Sequence, residues 1–340
     1  MTGSATLHGI KFSVEVECSL PASAVRVNRI EVGTYHRGRQ VPSLGGREWE
    51  GWTCERDSSL HTPVSGRMMV EFVGPVLSGP EGIREVADFL AALRVLGAKI
   101  NASCGLHINI SHPDLFRVAA LRRLIRLTAR HEQALWAING SPTRENNSYY
   151  CRSIKTSYKD KGYNELRALR NISDSFHERY HTLNLQHVNE PYESRRRIEF
   201  RVPAGSVNSS KVTAFLRLFL GLVEAAIDGK GKPTWDIVKS ERDNDLPDGV
   251  HALRKLFTTL GWKPAAGLRA QIHSNNIRPI ITDSTSPWAV KAKGIMTGSP
   301  EEAAKAAETS AAILMKLARK YDTIKGATWR TNRRTSYGAF

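Results

Sequence analysis

Three short segments alternate apolar and polar residues one by one, and each sets titratable side chains against an apolar row. They are KFSVEVEC (11–18), CGLHINIS (104–111) and RRRIEFRV (195–202). Successive side chains of a strand point to opposite faces. A strand over 11–18 therefore buries Phe12, Val14, Val16 and Cys18 and turns Glu15 and Glu17 the other way. The second segment sets Leu106, Ile108 and Ile110 against His107 and Asn109. The third sets Ile198, Phe200 and Val202 against Arg197, Glu199 and Arg201. A chain with three such segments is committed to a sheet with one apolar face.

Alternation alone also describes an ordinary half-buried sheet with a wet outer face. The residue types point elsewhere. Two Glu on one face of a strand stand about 7 Å apart, and at an effective dielectric of 20 they repel by about 2 kcal/mol before screening. A divalent cation removes that repulsion, and hard oxygen ligands favour Mg2+ or Mn2+. Arginine suits bidentate contact with phosphate, so Glu199 between Arg197 and Arg201 fits a metal–phosphate site. No G-x-x-x-x-G-K-[ST] occurs, which excludes a P-loop. A nucleotide would be held by metal and arginine instead.

The remaining elements follow from periodicity and caps. RMMVEFVG (67–74) reads as another strand, and REWEGWTCERD (47–57) as a strand within the loop-rich stretch 19–66. SGPEGIREVADFLAALRVLG predicts a helix with Ser78 and Glu81 as a capping box, Pro80 in its first turn and Gly97 as its stop. A long helix follows Pro113 through Leu121, Leu124, Ile125 and Leu135, and a short one is expected near Asn164 to Arg170. HTLNLQHV (181–188) and RRRIEFRVP (195–203) predict a hairpin. Asn208 or Ser209 then caps a helix through Phe215, Phe219 and Val223. A last helix, capped by Ser299 and Glu302, is expected from Pro300 to Tyr321, followed by a loose basic tail. Strand pairs between helices predict an α+β fold on a largely antiparallel sheet with helices on one face. The division expected is a catalytic domain over 1–228 and a mostly helical C-terminal extension over 229–340.

Forty-nine Lys and Arg against 33 Asp and Glu give a formal charge of +16. That excess favours an anionic partner, nucleic acid or nucleotide phosphate. Arg122, Arg126 and Arg130 recur at helical spacing, with Arg123 beside them, and read first as a solvated face. Together with Lys325, Arg330, Arg333 and Arg334 they also suit a polyanion. Tyr149, Tyr150 and Tyr158 lie among Arg152, Lys155 and Lys159, either as loop anchors or as a stacking surface. His187 falls on the apolar side of its segment and reads as a core residue. Cys18, Cys54, Cys104 and Cys151 show no C-x-x-C spacing and read as reduced packing residues. No apolar run nears the 18 or so residues of a membrane span, and no secretory signal is visible, so the expected location is cytoplasmic.

The chain resembles the amidoligases, which share the carboxylate–amine ligase fold of glutamine synthetase and glutamate–cysteine ligase. The resemblance covers 8 to 228 and rests on six motifs in order. They are E-x-E at Glu15 and Glu17, W-x-x-x-x-D-S-S-L at Trp52 to Leu60, and E-F-V-G-P-V-L at Glu71 to Leu77. G-L-H-I-N at Gly105 to Asn109, R-Y-H-T-L-N-L at Arg179 to Leu185 and E-F-R at Glu199 to Arg201 complete the set. The resemblance implies that Glu15, Glu17, Glu71 and Glu199 ligate Mg2+ (or Mn2+), with His107 meeting metal or ATP phosphate. It implies that Arg201 and Arg197 neutralise the transferring phosphate and that Asp57, Asn109, Arg144 and Asn184 line the substrate site. Asn109 stands where many relatives carry a second histidine, and Gly74 replaces a common serine.

The implied activity is ATP-dependent amide formation between a carboxylate substrate and an amine, whether peptide, amino acid or polyamine. The carboxylate would attack the γ-phosphate to give an acyl phosphate, which the amine then displaces. The charge keeps a second reading open: a non-catalytic nucleic-acid-binding protein on the same fold, or a ligase acting on a nucleic-acid-associated substrate.

Overall fold

The computed structural model describes residues 9–61, 64–140, 144, 149–155, 166–229, 248–262 and 300–337. They fall into two compact units, each assembled from three separated segments. The first draws on Met1–His112, Ala204–Leu220 and Ala265–Ser310, the second on Pro113–Pro203, Gly221–Pro264 and Ala311–Phe340.

The first unit is built on β1 (Lys11–Pro21), with α1 (Ala22–Val27) at its end. Strands β2 (Arg39–Gln40), β3 (Thr53–Glu55), β4 (Arg67–Val73) and β6 (Leu106–Ser111) join it in the spatial order β2-β3-β4-β1-β6. Short β5 (Leu77–Ser78) also pairs with β1, and every one of these pairings is antiparallel. The alternation predicted for β1 and β6 is realised: Val14, Val16, Cys18, Leu106, Ile108 and Ile110 are fully buried. Helix α2 (Gly79–Val95) covers this apolar face through Ile83, Val86, Phe89 and Leu90. Phe89 stacks on Trp52 at 3.7 Å between ring centroids and meets Phe72 edge-on at 5.4 Å.

The capping box expected at Ser78 is not formed. Ser78 is the N-cap residue in an extended conformation (φ −153, ψ 161) and pairs with Lys11, and its side chain makes no cap hydrogen bond. The predicted strand over 47–57 shrinks to Thr53–Glu55, because Gly51 takes a left-handed φ of 75° against Pro75 and turns the chain just before it.

The second unit opens with a 3-10 turn (Pro113–Phe116) and α3 (Val118–Ala137). It continues with α4 (Leu169–Ser175), which begins within the short helix expected near Asn164 to Arg170, Asn164 itself lying outside the described residues, and with the antiparallel pair β7 (Leu183–Asn184) and β8 (Ile198–Phe200). Both strands are shorter than the sequence predicts. Asn184 Oδ1 accepts the Gln186 N–H at 3.0 Å, and this local bond bends the chain into a 3-10 turn over Gln186–Asn189. His187 consequently leaves the core and pairs with Glu190 at 2.9 Å, half-exposed.

Helix α5 (Ser209–Ile227) runs across the boundary between the units, and Asn208 caps it by accepting the Lys211 N–H at 2.9 Å. Arg123 on α3 donates to the C-terminal carbonyls of α5, at 2.6 Å to Ala226 and 3.3 Å to Ile227. The arginine stripe is therefore no solvated face: Arg122, Arg123 and Arg126 are half-buried, and Arg130 alone of the four is exposed.

Helix α6 (Gly249–Leu260) packs on α3, where Thr259 Oγ1 meets His131 Nε2 at 3.3 Å. Helix α7 extends over Pro300–Tyr337, so the tail expected to be loose beyond Tyr321 is helical. Past its first residue, Pro300, it contains no proline, and its single glycine, Gly326, costs only about 1 kcal/mol against alanine. Asp322 of α7 accepts the Gly249 and Val250 N–H groups at 2.7 and 3.0 Å and so caps α6. The expected cap at Ser299 lies outside the described residues, as do Tyr158 and Lys159. Among the described residues no helix is long and apolar enough to cross a membrane.

Candidate metal centre

The polar face of the first unit gathers its carboxylates by strand register. Glu17 on β1 lies opposite Glu71 on β4, and Glu71 lies opposite Glu55 on β3. Glu15 lies opposite His107 on β6. Directly opposed residues of antiparallel strands point to the same side, with Cβ atoms about 5 Å apart. A row of acids thus crosses β3, β4 and β1 and ends at an imidazole.

His107 Nδ1 is 3.0 Å from Glu15 Oε2, and Asn109 Nδ2 donates to Glu15 Oε1 at 2.9 Å. The other carboxylates stand farther from the ring: Glu17 Oε1 is 3.9 Å from Nε2, and Glu71 Oε1 is 4.0 Å from Nδ1. Glu17 Oε2 accepts the Gly105 N–H, which leaves Oε1 turned toward the cluster. One donor atom each from Glu17, Glu71 and His107 lies within 4.8 Å of the others, and all three side chains are buried.

Electrostatics follow from that crowding. Burial, then the charges of Glu15, Glu17, Asp57 and Glu55, push the Glu71 carboxyl up to about 9. A bound cation would reverse that, because it favours the ionised carboxylate that ligates it. The donor set, carboxylate oxygens with one imidazole, fits Mg2+ or Mn2+ rather than a thiolate-seeking metal.

Asp57 sits at the margin of this group, its Oδ1 accepting the Ser59 N–H at 2.7 Å in a local turn. Glu55 is the residue that sequence reasoning missed. It is 4% exposed and accepts the His36 N–H at 3.1 Å. The signal was present in W-T-C-E-R-D, where Glu55 shares parity with Asp57 against buried Trp52 and Cys54.

The second unit gathers a different set. Asn184 Nδ2 donates to Glu199 Oε2 at 2.6 Å, and Arg201 Nη1 donates to Glu199 Oε1. Arg144 Nη1 donates to the carbonyls of Arg201 and Pro203 at 2.9 and 3.3 Å. All four side chains are buried, and Arg201 Nε finds no acceptor among the described residues. Arg197 is not part of this set. It precedes β8, which spans only Ile198–Phe200, and its guanidinium donates to Arg195 O at 3.2 Å.

A family model described as "Putative amidoligase enzyme" matches residues 11–223. The chain belongs to the amidoligase family. The amidoligase match takes in both side-chain sets and ends within α5, ahead of α6 and α7. None of the curated proteins matches the chain. Two solved structures are similar to this amidoligase at low identity. One is a bifunctional glutathione synthetase from Pasteurella multocida, at 11% identity and a TM-score of 0.38, covering 95% of this chain and 52% of that one. The chain thus spans about half the length of that synthetase. The other is the ligase PafA in complex with the prokaryotic ubiquitin-like protein Pup, at 12% identity and a TM-score of 0.44, covering 100% of this chain and 72% of that one.

Proposed function

We propose that the protein is an ATP- and Mg2+-dependent carboxylate–amine ligase that forms an amide through an acyl phosphate, with residues 1–228 as its catalytic part. The observation that carries this reading is the buried group Glu17, Glu71 and His107, bordered by Glu15 and Glu55, within the amidoligase match. Buried like charges in register are unfavourable alone and become a site when a cation completes them.

In this reading Glu15, Glu17 and Glu71 hold Mg2+ through carboxylate oxygens, with His107 as an additional ligand and Glu199 as a carboxylate of the phosphate side. Mn2+ would serve in place of Mg2+. When bound, the metal supplies positive charge against the ATP phosphates. Asn109 and the Gly105 N–H orient Glu15 and Glu17. Arg201, held by Glu199 and by the Arg144 contact to its carbonyl, keeps Nε for a phosphoryl oxygen. Asp57, Asn109, Arg144 and Asn184 border the substrates.

An oxygen of the substrate carboxylate attacks the γ-phosphorus, and the bond to the bridging oxygen of ADP breaks. The amine then attacks the acyl carbon, phosphate leaves, and the amine nitrogen gives up a proton. No protein nucleophile is required, and the protein contributes positioning and charge neutralisation.

The test is amine-dependent ADP release with panels of carboxylates and amines in the presence of Mg2+. Release should vanish with a chelator and in Glu17→Gln and Glu71→Gln. Undiminished turnover in both variants would overturn the metal assignment.

A further inference from the structure

The second unit carries an aromatic cluster that amide formation does not use. Tyr149, Tyr150 and Tyr180 are in mutual ring contact, with centroids 5.2, 4.7 and 5.9 Å apart for the pairs 149–150, 149–180 and 150–180. Tyr149 is 61% exposed and Tyr150 38%. Arginines flank the rings: Arg152 Cζ is 5.9 Å from the Tyr149 centroid, and Arg179 Cζ is 5.2 Å from that of Tyr180. Arg152 also pairs with Glu178.

This surface is rigidly founded. Arg152 N–H donates to Tyr180 O at 2.9 Å, and Thr182 N–H donates to Arg152 O at 2.8 Å, locking the two tyrosine-bearing segments side by side. Beneath them Cys151 and Ile154 are fully buried. Glu132 of α3 accepts the Ile154 N–H at 2.6 Å and the Ser153 hydroxyl at 2.5 Å. Exposed rings on a fixed base, interleaved with arginine, match what a flexible chain of bases and phosphates needs: π-faces to stack on and cations for its backbone. The formal charge of +16 over the whole chain adds the long-range attraction.

We infer that Tyr149, Tyr150 and Tyr180, with Arg152 and Arg179, form a stacking platform for single-stranded nucleic acid. This goes beyond the ligase reading and requires no metal.

The experiment is fluorescence anisotropy of the full chain with a labelled single strand of about twelve nucleotides, at low salt and with a chelator present. Binding is expected, and it should weaken with added salt. Tyr149→Ala should raise Kd by roughly fivefold to a hundredfold, the cost of removing a ring from under a stacked base, while Tyr149→Phe keeps the ring and the affinity. Circular dichroism should be unchanged in both variants because Tyr149 is mostly exposed. Three outcomes would overturn the platform: no binding at low salt, equal affinity in Tyr149→Ala, or a matched duplex, an acidic peptide or AMP binding as tightly as the single strand. Because a chelator is present throughout, the result is independent of whether Mg2+-dependent ligation is found.

Discussion

Glu17 and Glu71 are direct cross-strand partners, both buried, and His107 faces both of them from the next strand. Two carboxylates in that position repel without a counter-charge, and burial with the neighbouring carboxylates pushes the Glu71 carboxyl up to about 9. Its folded value lies above the ordinary 4.5, so the stability it contributes is complete below 4.5 and is lost as pH rises through about 9. The metal-free protein should therefore lose melting temperature between about pH 5 and 9. Mg2+ should restore it on the alkaline side, by about 2.7 kcal/mol at a hundredfold excess over Kd. Glu71→Gln should flatten the metal-free curve and remove the Mg2+ response. Thermal melts with and without chelator decide it; a Mg2+ response unchanged in Glu71→Gln places the ion elsewhere.

Asn109 fixes the orientation of Glu15 through its 2.9 Å bond to Oε1. Asn109→Ala should weaken metal affinity by about 10- to 100-fold, as loss of an orienting partner does, and stability by no more than about 1.5 kcal/mol. Mn2+ titration beside urea denaturation measures both. A large stability loss with intact affinity would make Asn109 a purely structural residue.

Arg144 bonds two backbone carbonyls, those of Arg201 and Pro203, from a buried position. Arg144→Ala leaves both carbonyls unsatisfied and should cost about 2–4 kcal/mol. A shift in the urea midpoint reads the cost. ADP release should fall with it, since the backbone that carries Arg201 is no longer held.

Glu132 is fully buried, and burial raises its carboxyl to about 7 in spite of the Ser153 and Ile154 hydrogen bonds. Being raised above 4.5, it contributes stability that is complete below that value and is lost as pH rises through about 7. Glu132→Gln keeps an acceptor for Ile154 and removes the charge, so its melting temperature should vary less between about pH 5 and 8. Parallel curves for the two proteins would show that Glu132 does not titrate in this interval.

Much of the first unit was legible in the sequence because its strands each bury one unbroken apolar row. Val14, Val16 and Cys18, or Leu106, Ile108 and Ile110, fix which way Glu15, Glu17, His107 and Asn109 must face. Register was not legible, since the pairing of Glu55 with Glu71 is a non-local property that no window of sequence contains. Local side-chain bonds defeated the periodicity elsewhere. Asn184 stops β7 after two residues by binding the Gln186 N–H, and with it went the expected placement of His187. Arg197 alternates correctly with Glu199 in the sequence yet falls one residue before the ladder begins.

The carboxylate of Asp322 has a bearing on how this chain can be trimmed. It stands about a hundred residues past the end of the amidoligase match and supplies the acceptors for the first N–H groups of α6, which in turn lies on α3. Cutting the polypeptide at the family boundary would remove α6 together with its cap and uncover α3, the helix that carries Glu132, whereas a cut between α6 and α7 would expose those amides. Helix α6 and the stretch of α7 around Asp322 are thus part of the scaffold that supports α3.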